Sequence, residues 1–159
     1  MITAHIPSGY ILARSLGAKG AAVIAAIAGA TFPDLDLLWF YLIDDRAFHH
    51  HKYWVHAPAF VLLVSACLIS ALRIATPRHT LVGIAFALGW CLHVILDSPV
   101  GGTMWFWPFD DTIFTLVTVP ATQSHWLLSF ILHWSFLAEV GIWSLAFWLY
   151  FQKSRSNDP

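Results

Sequence analysis

The sequence predicts an all-α membrane protein: a polytopic bundle of about four transmembrane helices preceded by a short N-terminal helix. Three observations predict it. Hydrophobic residues fill 58% of the 159 positions and charged residues only 11%, where a soluble domain carries about 25% charged residues. Apolar runs of the length that crosses a bilayer, about 20 residues, recur along the chain. Polar residues in or beside those runs crowd toward one end of them. The length fits one domain, read as a membrane-embedded unit over 1–151 with a polar tail over 152–159. Lys and Arg number 8 against 9 Asp and Glu, a net charge of −1. That balance offers no basic patch for nucleic acid, and the apolar content excludes disorder. Membrane lipids are the expected surroundings.

The elements follow in chain order. Residues 2–16 are apolar but short, and read as a helix packed on the bundle, with a turn over 17–20. The start lacks a basic segment, and Arg14 and Lys19 interrupt the run, so it is not read as a secretory signal. The first span covers 20–43, interrupted by Pro33-Asp34-Leu35-Asp36. A His-rich loop over 44–55 leads to a second span at 56–75 and a third at 80–96. A loop over 98–124, rich in Pro, Gly, Thr and Trp, leads to the longest apolar run, 126–151, read as the fourth span. Cys67 and Cys91 lie inside apolar runs and are expected as buried, unpaired thiols.

Alternating crossings place Arg14, Lys19, Arg73, Arg78, Lys153 and Arg155 on one face and Arg46 and Lys52 on the other. The positive-inside rule makes the six-charge face cytoplasmic and puts the C-terminus there. Trp39, Trp54, Trp105, Trp107 and Trp126 then form a belt at the opposite, periplasmic or exterior, face.

That opposite face also collects the chemistry. Histidines number 9, more than Lys and Arg together. His5, Asp34, Asp36, His51, His56, His93, Asp97 and His125 all fall near it. Ionisable groups at membrane depth are costly and usually face a cavity or each other. His93 and Asp97 are the sharpest pair, because i, i+4 spacing puts both on one helix face. Imidazole nitrogen and carboxylate oxygen suit zinc and similar ions; a His–Asp hydrogen bond between spans is the structural alternative. Asp34 could cap a helix, but a cap does not account for two carboxylates in an apolar run. His51 and His56 fit ligands better than His49 and His50, which suit a solvated loop. His79 sits apart on the basic face, and His133 shares a stripe with His125 and Ser129, as a core hydrogen-bonding group or an outer support. No nucleophile elbow, P-loop or His-Glu-x-x-His occurs.

In order, the segments are Thr3-Ala4-His5, Phe32-Pro33-Asp34-Leu35-Asp36, His51-Lys52-x-x-x-His56, His93-x-x-x-Asp97-Ser98-Pro99 and Trp107-Pro108-Phe109. The set resembles the bacterial inner-membrane, LexA-regulated metal-dependent hydrolases of the YdjM type over about two-thirds of the chain, a family similar in motif order to zinc-dependent phospholipase C. The resemblance implies His5, Asp34 or Asp36, His51, His56, His93 and Asp97 as metal-site residues. The chain departs from the family at Lys52, where relatives carry Arg. It also departs at the start of the last span, read from 126, where relatives carry Glu and where His125 is the candidate substitute.

The expected function is hydrolysis of a phosphoester in a lipid or lipid-linked substrate at the non-cytoplasmic face of the inner membrane, with one or two zinc-like ions. Asp34 or Asp36 would serve as ligand or base, Asp97 as the bridging ligand, and Lys52 as a positive charge on phosphate. Two other classes stay open. A haem- or metal-binding redox subunit would use facing His pairs. An ion-binding transporter would spread its carboxylates through the bilayer depth.

Overall fold

The computed structural model describes residues 1 and 3–156, and the chain is all-helical. Among the described residues the extended pairing is an isolated antiparallel bridge between Thr103 and Phe114. Helix α1 (His5–Ser15) turns through Gly17 into α2 (Ala21–Thr31). Pro33 ends α2, because it lacks an N–H and its ring clashes with the preceding turn. The chain continues through one 3₁₀ turn, Pro33–Leu35, into α3 (Asp36–Leu42), bent by 53° from α2. Two further 3₁₀ turns carry the His-rich loop to α4 (Pro58–Ala75), which starts on the proline that favours a first helical position. Helix α5 (Thr80–Asp97) returns, and a long loop leads to α6 (Trp126–Ile131) and α7 (Phe136–Ser156).

Two segments, Pro58–Ala75 and Pro77–Asp97, are long and apolar enough to cross a bilayer, and the bent α2–α3 pair makes a third if it is one span. The fourth expected span differs. Residues 126–151 do not form one helix: the helix breaks between α6 and α7, where His133 Nδ1 lies 2.8 Å from Ser135 Oγ and the backbone bonds tighten to i→i+3. Polar side chains that bond locally compete with the helical ladder. The apolar part of α7, Phe136–Gln152, is accordingly shorter than a full span. Of the expected polar tail, the helix runs on to Ser156, and positions 157–159 lie outside the described residues.

One core cluster is built around Val55, Val61, Trp90 and Val94, and the α1–α2–α5 contact is built from small residues. Helices α2 and α5 meet along Ala26, Gly29 and Ala30 on one side and Ala85 and Gly89 on the other, and α1 joins through Gly9. A Cβ on Gly89 would stand 2.8 Å from Ala30 N, and one on Gly9 2.7 Å from Ile27 Cα. Small residues let helix backbones approach where the surroundings supply no hydrophobic drive. Helix α4 buries only Val61 and Ser65, so most of its apolar surface faces outward. Cys67 is therefore exposed on α4 rather than buried, Cys91 is half-buried, and both are free thiols.

The consequence for the site is directional. The starts of α1, α4 and α7 and the ends of α2 and α5 meet at one end of the bundle. Arg14, Lys19, Arg73 and Arg78 lie at the other ends of those helices or in the turns joining them.

Candidate metal centre

Four segments supply the cluster, and most of its rings are held by groups from elsewhere in the chain. His5 opens α1 and is 1% exposed; its ring stacks on His93 with centroids 3.8 Å apart. His93 and Asp97 lie one turn apart on α5, both fully buried, with His93 Nε2 2.9 Å from Asp97 Oδ2. The Ala30 carbonyl lies in the last turn of α2, where carbonyls lack helical partners. It accepts a hydrogen bond from His93 Nδ1 at 2.8 Å. His51 sits in the turn His50–Lys52, whose start His49 caps by accepting from His51 N. Its Nδ1 donates toward two carbonyls, Gly102 at 2.7 Å and Gly101 at 3.0 Å. Gly102 has φ +84°, a conformation open mainly to glycine, and a Cβ on Gly101 would stand 3.2 Å from His51 Nδ1. His56 closes the turn Trp54–His56, and its Nδ1 faces Asp36 Oδ2 at 3.1 Å.

These supports decide which nitrogens face the cluster. Carbonyls only accept, so His51 and His93 carry a proton on Nδ1, which leaves Nε2 as the nitrogen turned toward the cluster. His56 Nδ1, against a carboxylate, does the same. The three Nε2 atoms then converge. His93 Nε2 is 3.3 Å from His56 Nε2, and Asp97 Oδ2 is 3.6 Å from His51 Nε2 and 3.8 Å from His56 Nε2. Asp97 Oδ2 is buried with no hydrogen-bond partner. Imidazole nitrogens and a carboxylate that face one another in a buried site suit a cation. Ligands at about 2.0–2.1 Å around tetrahedral zinc stand about 3.3 Å from one another, close to these separations. A nitrogen-and-carboxylate donor set with outer partners on each Nδ1 therefore fits a divalent metal. Ligand atoms of His5, His93 and Asp97, of Asp34, His56 and His93, and of His50, His51 and His56 each lie within 4.8 Å of one another. On its other oxygen, Asp97 Oδ1 meets His5 Nε2 at 3.2 Å and the Met1 amine at 2.5 Å.

Burial also keeps His51 and His56 neutral, as a metal needs. Desolvation pushes the His51 pKa down to about 2, against the opposing pull of Asp97. His56 is shifted down by burial as well, although Asp36 opposes it.

The remaining expected residues fall in different places. The Asp34 side chain is 30% exposed, with Oδ1 3.9 Å from His93 Nε2, and it lines a cavity of about 520 Å³. The Asp36 side chain is only 6% exposed and sits behind His56 and His50. Lys52 turns away: its Nζ pairs with Asp111 at 3.2 Å on the exposed surface. His125 caps α6, accepting from Leu127 N, and is exposed. His133 pairs with Ser135 at the helix break. Phe109 is 96% exposed in the long loop, outside the cluster.

Two residues were missed. His50 stands 3.4 Å from Asp36 and lines the same cavity as Asp34, so it is no free loop residue. Glu139 is fully buried in the first turn of α7, and its Oε2 accepts from Thr3 N at 2.8 Å and Thr3 Oγ1 at 2.6 Å. The acidic residue near the start of the last helix is thus present. Reading one span from 126 hid it, because the last helix starts at Phe136. Its signal was a lone carboxylate inside a long apolar run.

Compared with known proteins, the family model described as YdjM inner membrane protein matches residues 1–155. No curated protein and no solved structure matches the chain.

Proposed function

Because the chain belongs to the YdjM inner membrane protein family, we propose that it is a multi-pass inner-membrane hydrolase that uses zinc to cleave a phosphoester in a lipid or lipid-linked substrate. The observation that carries this reading is the convergence of three imidazole Nε2 atoms on the unpartnered Asp97 Oδ2. His51, His56, His93 and Asp97 would hold the ion, with His5 on the second oxygen of Asp97. Zinc, when bound, lowers the pKa of its water toward about 7 and draws charge from a phosphoryl oxygen.

The protein residues divide the rest. Asp34 is the carboxylate that reaches the cavity, so it is the general base, taking a proton on its exposed oxygen. Asp36 is buried and holds His56, so it is a positioning residue. Glu139 anchors the segment before α1 through Thr3 and so sets the place of His5. Lys52 is left out of the phosphate site by its pairing with Asp111. The cluster lies on the side opposite Arg14, Lys19, Arg73 and Arg78, which favours a periplasmic site.

The test is metal analysis of purified full-length protein, followed by release of phosphate from mixed lipid phosphoesters with and without a chelator. Bound zinc near stoichiometry and chelator-sensitive turnover are expected. A red protein with a Soret band, or a zinc protein inert on every lipid phosphoester, overturns the reading.

A further inference from the structure

Helix α3 and helix α6 both present apolar side chains outward: Leu38 is 62% exposed, Leu42 78%, Leu127 37% and Leu128 48%. Between the two helices lies the cavity of about 520 Å³, inside the roughly 300–1,000 Å³ range of ligand sites. Leu37 and Phe40 line it from α3, Trp126 and Phe130 from α6, and Asp34 and His51 of the metal cluster line it as well. Its wall is mostly apolar, and no Lys or Arg occurs among the described lining residues. Metal-cluster residues thus share one cavity with apolar side chains of two helices whose outer faces suit hydrocarbon.

We propose that this cavity is the binding site for a long hydrocarbon chain of the substrate, which enters sideways from the bilayer between α3 and α6. The proposal rests on the phosphoesterase reading for the identity of the head group alone. Chain binding follows from the cavity itself. A water-filled apolar cavity beside lipid would leave Leu37, Phe40 and Phe130 hydrated at a cost that a hydrocarbon chain removes. The wall carries no Lys or Arg, so its apolar stretch selects for the hydrocarbon chain and not for an anionic head group.

The experiment uses zinc-loaded full-length protein in detergent and a phosphatidylcholine with a photoactivatable diazirine in one acyl chain. Adducts mapped by mass spectrometry are expected on Leu37, Phe40, Trp126 and Phe130. Leu37→Trp fills the cavity and should cut this labelling about tenfold. The same substitution at the outward Leu38 should leave it unchanged. Phe130→Ala, which removes contact without adding bulk, should also weaken labelling. Both cavity variants should retain bound zinc, because neither residue belongs to the metal cluster. Adducts confined to outward positions such as Leu38 and Leu127, unchanged in both cavity variants, overturn the proposal. Cavity labelling without phosphate release from any substrate supports the chain site and overturns the phosphoesterase reading alone.

Discussion

At the scale of single residues, the centre depends on which atoms lack a proton. His93 and Asp97 have the most direct claims to an ion, so His93→Ala or Asp97→Ala should abolish bound zinc measured by elemental analysis, while His79→Ala should not. Equal metal in all three would remove the assignment. Gly101→Ala acts one step further out. Its Cβ would press on the His51 ring, and zinc affinity by competition with a chelating dye should fall about 10–100-fold, the usual cost of disturbing an outer partner. Asp34→Asn should keep its metal and lose turnover. Asp36→Asn should weaken metal as well, because His56 loses the carboxylate behind it. If the two asparagine variants behave alike, the division of roles between the carboxylates is wrong.

At the scale of elements, positions are set by where helices end. The end of α2 at Thr31 leaves the last-turn Ala30 carbonyl to orient His93, and the helix break before Phe136 makes Glu139 a first-turn residue. The close contact of α2 with α5 carries the same geometry. Gly89→Ala puts a Cβ against the α2 backbone, so it should cost about 1–3 kcal/mol and loosen the His93–Ala30 contact. Gly141→Ala on α7 meets nothing within 4 Å and should stabilise by about 0.5–1 kcal/mol, the ordinary gain of alanine in a helix. Thermal unfolding in detergent checks both; a similar shift for the two would show that α2–α5 packing is not the tight contact.

At the scale of the molecule, folding and metal binding answer to the same protons. His51 stays neutral down to about pH 2, whereas the unfolded chain protonates it near pH 6.5. In that window the unfolded state binds the extra proton, so stability falls as pH falls. Metal binding competes with the same protons and should weaken in the same direction. Unfolding midpoints and zinc retention between neutral pH and about pH 5 should therefore decline together, with excess zinc restoring part of both. A midpoint indifferent to acid would deny that these imidazoles are held neutral. Orientation is tested separately: a reporter fused after Phe151 should be active in the cytoplasm, and activity only outside would reverse the topology.

Composition alone determined that the chain is helical and membrane-borne, because 58% hydrophobic residues in span-length runs admit little else. Spacing and order also made His5, Asp34, Asp36, His51, His56, His93 and Asp97 legible, since costly polar groups in apolar runs stand out. Tertiary structure decided the rest. The i, i+4 pattern shows that His93 and Asp97 share a face, yet not that Ala30 and Gly102 carbonyls aim the rings at one point. Lys52, expected to steady phosphate, and His125, expected as a ligand, spend their polar atoms on Asp111 and on the start of α6. His50 looked like loop and Glu139 like mid-span, because a residue's role depends on where its helix begins and what packs on it. Those are long-range facts, set by backbone approach between α1, α2, α5 and α7, which no local pattern in the chain encodes.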